Sequence, residues 1–325
     1  MSGAPHPALA RVRKAVRDRL ADPSWPRGEV VVAVSGGADS LALAEAAAFT
    51  GRRLQRAVRG LIVDHGLQEG SAEIAQTAAK TARELGLESA EVLTVEVGGR
   101  GGPEAAARKA RYAALRAAAP PGALILLGHT RDDQAETVLL GLGRGSGPRS
   151  LAGMRPLDPP WGRPLLDVPR ETTVAACAEL GVTPWEDPHN SESRFTRVRL
   201  RHEVLPLLED VLNGGVAAAL ARTATQLRED SEALDTLARG ITAEDGQLAV
   251  GELEPLPPAL RRRVLRRWLL DAGVKELTDA HLRSVDELVG RWRGQGGVGL
   301  PGDLVARRAH GRLSVLPAFT TTKGD

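Results

Sequence analysis

Val30 to Ser40 reads Val-Val-Val-Ala-Val-Ser-Gly-Gly-Ala-Asp-Ser, and no other stretch limits the fold so tightly. Five apolar, mostly β-branched residues predict a buried strand, and the Ala- and Leu-rich run from Leu41 to Phe49 predicts a helix directly behind a tight polar turn. Gly36 and Gly37 let the backbone close around an anion, while amides at the helix start, from Ala38 on, point outward. Ser35 and Ser40 add hydroxyl donors. Asp39 is the odd member, because a carboxylate repels phosphate unless it caps the helix, holds a magnesium ion or orients a donor. No lysine follows, so the Walker pattern is absent, as is the G-x-G-x-x-G spacing of dinucleotide folds. A plain strand-to-helix turn with a capped helix has the same outline.

The remaining chain provides the setting. At 325 residues it is long enough for two cores, and 42% hydrophobic with 26% charged residues fits a globular protein. No apolar run approaches the roughly 18 residues of a membrane span, and Met1 to Ala10 lack the apolar core of a secretory signal. Cys177 is the sole cysteine, which excludes a disulfide framework and any site built from several thiolates. A cytoplasmic location is expected. A net charge of +2 does not announce a nucleic-acid binder, so local clusters must carry that argument.

In chain order, Leu9, Val12, Val16 and Leu20 share one helical face before a Pro-rich stop at Asp22 to Pro26. A second strand, Leu61 to Val63, ends in Asp64-His65-Gly66-Leu67, and a helix is expected from Ser71 to Leu85. Glu91 to Val97 alternates as a third strand, Gly98 to Gly102 is a flexible loop, and Pro103 opens a helix carrying Arg108 and Arg111 on one face. Ala123 to Leu127 is a fourth strand, followed by Gly128-His129-Thr130-Arg131-Asp132-Asp133-Gln134-Ala135-Glu136-Thr137. Polar groups this dense at the carboxyl end of a strand stand where open α/β sheets bind ligands. Asp133 and Glu136, three apart on a helix, form a two-carboxylate cup that suits an ammonium group or a metal. Arg163 to Val168 reads as another strand, with a helix from Glu171 to Leu180. Arg194 to Arg201 holds four arginines and no acid, and on a helix Arg197 and Arg201 would face one phosphate chain together. From about Val211 long helical periodicity takes over. Arg261, Arg262, Arg263, Arg266 and Arg267 stripe one of those helices, which fits either a solvated face or RNA phosphates. Val298 to Leu316 reads as short antiparallel strands. The expected class is therefore α/β, a doubly wound, mainly parallel, Rossmann-like sheet followed by a smaller, mainly helical domain with short terminal strands. Its expected divisions are 1–27, 28–210 and 211–325.

Ser35 to Ser40 resembles the signature of the PP-loop ATP pyrophosphatases. Together with Asp64-His65-Gly66-Leu67, Gly128 to Thr137, Arg144-Gly145-Ser146-Gly147 and Arg197 to Pro206, it resembles the bacterial tRNA(Ile)-lysidine synthetase family over about residues 30 to 210. Thr130 stands where that family often has a second histidine, and Val198 where it often has asparagine. The resemblance implies an ATP-consuming ligase that joins free L-lysine to carbon 2 of the first anticodon cytidine of a tRNA(Ile) with a CAU anticodon. ATP and pyrophosphate would lie against Ser35, Gly36, Gly37, Ala38, Asp39, Ser40, Asp64, His65 and His129, with Mg2+ held through Asp39. Asp133 and Glu136 would hold lysine, Asp133 serving as base beside Asp39, Arg197 and Arg199 as catalytic residues. Arg108, Arg111, Arg201, Arg262 and Arg266 would meet tRNA, in a homodimer that touches no membrane. Three alternatives compete: a tRNA thiolase, disfavoured by the single cysteine; an amidotransferase-coupled relative such as GMP synthetase, disfavoured by the arginine-rich segment and helical tail; and a regulatory module that holds ATP without chemistry.

Overall fold

Helix α1 (Pro7–Ala21) opens the computed structural model, which describes residues 7–66, 68, 70–98, 103–145, 147–187, 192 and 194–318. It buries Leu9, Val12, Val16 and Leu20, as the spacing predicts. Strand and helix then alternate: β1 (Val30–Ala33), α2 (Ala38–Leu54), β2 (Val58–Asp64), α3 (Ser71–Glu84), β3 (Ser89–Thr94), α4 (Pro103–Ala118), β4 (Leu124–Leu126) and α5 (Arg131–Gly143). A short α6 (Pro148–Leu151) leads to β5 (Leu157–Asp158), β6 (Trp161–Gly162) and α7 (Arg170–Glu179).

These strands form one sheet in the order β3-β2-β1-β4-β6-β5, parallel except for the β5–β6 pair. Alternate residues of β1 serve opposite faces. Val30 and Val32 join the core under α1, α2, α3 and α7, whereas Val31 joins Leu115 and Tyr112 of α4. Burial on both faces explains why β1 is apolar throughout rather than alternating. Each such side chain contributes about 1.5–3 kcal/mol relative to exposure. The chain moves outward from β1 through β2 to β3, then returns to β4 on the other side of β1. The carboxyl ends of β1 and β4 therefore flank the sheet's switch point, where open sheets form a crevice.

Arg163–Val168, expected as a strand, is a run of turns, and the strand lies earlier, at Trp161–Gly162. Pro164 has no amide to give a ladder, and the Val168 amide bonds back to the Leu165 carbonyl at 2.9 Å. Beyond α7 come α8 (Thr196–Arg199), a π-helical turn over Leu200–Val204, α9 (Leu205–Val211) and α10 (Val216–Ala238). Gly99 to Gly102 of the expected Gly98 to Gly102 loop, and Leu67 and Ser146 of the motifs above, lie outside the described residues.

Contacts divide the chain into two compact units, Met1–Leu227 and Arg228–Asp325. The division falls inside α10, later than the change in periodicity near Val211, because an unbroken helix carries no turn signal where its packing partners change. The second unit holds β7 (Leu248–Ala249), α11 (Val250–Leu253), α12 (Pro258–Asp271), α13 (Asp279–Gly290), β8 (Val298–Leu300), β9 (Leu304–Ala309) and β10 (Arg312–Pro317). Its sheet runs β7-β10-β9-β8, all antiparallel, over a core that includes Leu265, Leu269 and Leu288. His310 and Gly311, with φ of 49° and 72°, make the two-residue turn between β9 and β10. No single helix among the described residues is long and apolar enough to cross a membrane.

Candidate active site

The loop between β1 and α2 closes on itself. The Ser40 hydroxyl donates to the Gly37 carbonyl at 2.9 Å and accepts from the Ser35 amide at 3.1 Å, while the two serine hydroxyls stand 3.2 Å apart. Gly36, at φ +87°, takes the left-handed turn that this closure needs, and its carbonyl accepts from the Trp185 amide at 3.0 Å. No side chain caps α2 at Gly37, so its first amides keep their capacity for an anion.

Asp39 turns from this loop toward α7. One carboxylate oxygen accepts from Thr173 and the other from Arg170 Nε at 3.2 Å. Burial raises its pKa, overriding the pull of Arg170 and the Thr173 hydrogen bond.

The other side of the crevice carries the carboxylate cup. Asp133 Oδ2 accepts from the Thr130 amide at 2.8 Å and its hydroxyl at 2.9 Å, which fixes the first turn of α5. Asp133 Oδ1 meets Arg170 at 2.6 Å and Arg201 at 3.4 Å. Glu136, wholly buried, receives a two-pronged contact from Arg201, Nε to Oε1 at 2.7 Å and Nη2 to Oε2 at 3.2 Å, with Arg170 at 3.5 Å. Burial is the largest single influence on the Asp133 carboxyl and works to raise it, but Arg170, His129, the Thr130 amide and Arg201 together outweigh it and hold the carboxyl below the usual carboxylate range. One guanidinium thus faces two aspartates that shift in opposite directions, because Asp133 also has an amide and a second arginine.

The expected nucleotide residues of the neighbouring loops face a positive wall. Asp64, buried, accepts from the Gly66 amide at 3.0 Å. The Nδ1 atoms of His65 and His129 and Nε of Arg111 are buried without protein partners. Burial lowers the pKa of His129, and Arg163, Arg108 and Arg111 push the same way against Asp133, so the imidazole is neutral near pH 7. Arg108 donates to the Tyr112 hydroxyl at 3.1 Å and stacks over that ring at 4.9 Å.

The arginine-rich segment separates. Helix α8 ends at Arg199, and the wider π turn follows, so Arg197 and Arg201 do not share a regular α-helical face. Arg197 reaches the Thr137 hydroxyl at 3.3 Å, Arg201 enters the cup, and exposed Arg199 pairs with Glu203 at 2.9 Å. In the second unit Arg262 bonds the Pro258 carbonyl at 3.0 Å, and Arg266 has no acid partner among the described residues.

Residues 9–208 match the family described as PP-loop domain, and residues 248–314 match the TilS substrate binding domain. The chain is 57% identical over 320 residues to a tRNA(Ile)-lysidine synthase of Rhodococcus erythropolis, covering 94% of this chain and 95% of that one. It is 60% identical over 292 residues to that of Mycolicibacterium paratuberculosis, covering 87% and 89%. The chain belongs to the tRNA(Ile)-lysidine synthase family. Among solved structures, the U34-tRNA thiolase NcsA from Methanococcus maripaludis, with its [4Fe-4S] cluster, aligns with a TM-score of 0.57 at 17% identity, over 68% of this chain and 79% of that one, which speaks for the fold alone.

In this synthase-family chain, sequence reasoning missed Arg170 and Thr173. A signal was available. A cation at the first position of a helix opposes the helix dipole by about 0.3–1 kcal/mol, so Arg170 asks for an acid facing it. Asp133, Asp39, Glu136 and Asp132 supply the answer, and they raise its pKa despite burial. Thr130, read as a departure from the family pattern, is the hydroxyl that anchors Asp133.

Proposed function

We infer that this chain makes lysidine: it consumes ATP to join lysine to carbon 2 of the first anticodon cytidine of tRNA(Ile), releasing AMP and pyrophosphate. The chemistry needs two steps, because the cytidine carbonyl is urea-like and a poor electrophile. Its oxygen first attacks the α-phosphate of ATP, and pyrophosphate leaves. The lysine side-chain nitrogen then attacks carbon 2, the carbon–oxygen bond breaks, and AMP departs with the oxygen.

The left-handed Gly36 and the uncapped start of α2 suit the phosphates of ATP, with Ser35, Gly37, Ala38 and Ser40 completing the cradle. Mg2+ would come as an ion carried by the triphosphate, since Asp39 is the one carboxylate beside the loop and Thr173 and Arg170 hold both of its oxygens. Asp64, His65 and His129 border the nucleotide, the neutral His129 able to accept or donate one hydrogen bond. Arg197, closer to the cup than Arg199, is assigned to charge on the transferring phosphate, a role worth about 3 kcal/mol per donor in other enzymes. Arg199, Arg108, Arg262 and Arg266 are left for tRNA, and the assembly proposed is a homodimer.

The observation that carries lysine is the cup itself, Asp133 with buried Glu136. Free lysine has a side-chain pKa near ~10.4, so it arrives as an ammonium and must lose a proton to attack. Asp133 holds that ammonium. While Arg170 and Arg201 remain on its carboxylate it is a weak base, so it gains basicity only as the amine displaces a guanidinium.

The test combines ATP, a CAU-anticodon tRNA(Ile) and radiolabelled lysine or other amines, following pyrophosphate and RNA-bound label. Lysine alone should be incorporated, and Asp133→Ala should lose about a thousandfold in incorporation with tRNA affinity retained. Undiminished lysidine from that variant would remove Asp133 from the site, and label from another amine would replace lysine.

A further inference from the structure

Arg170 touches more of this site than any residue assigned to the reaction. Its three guanidinium nitrogens divide among three acids: Nε to Asp39 at 3.2 Å, Nη2 to Asp133 at 2.6 Å and Nη1 to Glu136 at 3.5 Å. Asp39 stands on α2, behind the phosphate loop; Asp133 and Glu136 stand on α5, behind a different strand. We propose that Arg170 is the positioning residue that makes the phosphate loop and the carboxylate cup one rigid unit, so that nucleotide and amine meet in fixed register.

The surroundings are built for this. The Arg170 amide donates to Asp132 Oδ2 at 2.9 Å, and the Arg131 amide donates to the Val168 carbonyl at 2.9 Å, so two segments are stitched together beside the guanidinium. One turn along α7, Thr173 holds the other oxygen of Asp39. A planar fork can serve three acids in different directions, whereas a lysine ammonium is one point charge. The count of charges fits the substrate as well. Asp39, Asp133 and Glu136, with Asp132 on the Arg170 amide, outnumber Arg170 and Arg201, and that excess of acid suits an ammonium.

This role rests on the lysidine reading, and three measurements on the full chain separate the two. They are ATP affinity by calorimetry, pyrophosphate release with tRNA and no lysine, and the lysine KM and kcat. Relative to wild type, Arg170→Gln should slow pyrophosphate release at least about tenfold and raise the lysine KM at least about tenfold, because both halves of the site lose their common reference. Arg170→Lys should recover one of these two and not both. Wild-type values per folded molecule in Arg170→Gln, with only the melting temperature lowered, would reduce the residue to a structural ion pair. A lowered lysine KM would make it a plug in the cup, and full recovery of both steps in Arg170→Lys would show the fork to be unnecessary; each overturns the proposal. If Arg170→Gln does not fold, wild-type values for both steps in Arg170→Lys overturn it equally. If the wild type makes no lysidine, the functional reading fails, and the positioning role is then decided by ATP: weakened binding in Arg170→Gln supports it and unchanged affinity overturns it.

Discussion

Arg201 and Arg261 each place a guanidinium on a carboxylate, at 2.7 Å from Glu136 and 2.5 Å from Asp286, and each comes from a run of arginines that reads in sequence as a basic surface. What surrounds the pairs differs. Arg261 also donates to the Leu256 carbonyl, and it lies over Gly290, where a Cβ would stand 2.6 Å from its guanidinium. Its neighbours Arg263 and Arg267 likewise end on Asp235 and the Ile241 carbonyl, which leaves charge and acceptor matched. Around Arg201 the match fails: three carboxylates crowd two guanidiniums, and Arg201 is held from a π turn. Matched pairs within a helix-and-sheet core hold the fold together. A surplus of one sign, kept buried, is a place waiting for a ligand.

Mutation of the two residues would break that contrast most directly. Arg201→Ala should cost at least about a hundredfold in kcat/KM for lysine, whereas Arg261→Ala should cost about 3 kcal/mol of stability by stranding Asp286 and leave pyrophosphate release intact. Steady-state kinetics beside denaturant unfolding checks both, and the reverse pattern would dissolve the distinction. A smaller effect is expected where the second run does face solvent. Arg262→Glu with Arg266→Glu should weaken tRNA binding and lower its salt dependence by about one unit of slope per lost contact, measured by filter binding across ionic strengths. An unchanged slope would return both residues to a solvated helix.

The gentlest test concerns the positive wall beside the cup. His129 has its folded pKa depressed from 6.5 to about 3, so the unfolded chain takes up a proton that the folded one refuses. Stability is therefore complete above pH 6.5 and declines as pH falls from there toward 3. His129→Gln should flatten the melting temperature across that window, and an identical pH profile would mean that the histidine is already charged.

How much of this could be read beforehand follows from the range of each interaction. The strand, glycine turn and helix at Val30 to Phe49 were legible because their signals are contiguous, and the mainly parallel sheet followed from the alternation of strands with helices. The pairing of Asp133 and Glu136 on one face was legible for the same reason, as the helical period sets it. Arg170 was not, since it meets Asp39 across 131 residues and no local pattern names a partner that distant. The inward turn of Arg201 was hidden by a π turn, which shifts the side chains that an ordinary helix would align. Arg163 to Val168 misled because apolar content alone does not distinguish a ladder from packed turns.

Gly128 marks the end of β4, and a Cβ built there would stand 3.0 Å from the carbonyl carbon and oxygen of Asp39 and 3.2 Å from the Ser40 amide nitrogen. Two stretches of backbone thus lie against each other with nothing between, one leading to the phosphates and the other to the acids. Beside the Arg170 fork, this main-chain contact would set the reach from nucleotide to amine, a ruler with no adjustable joint at that point. Even a single methyl group would lengthen it, and the two substrates would be held at a distance that no rotation of a side chain could restore.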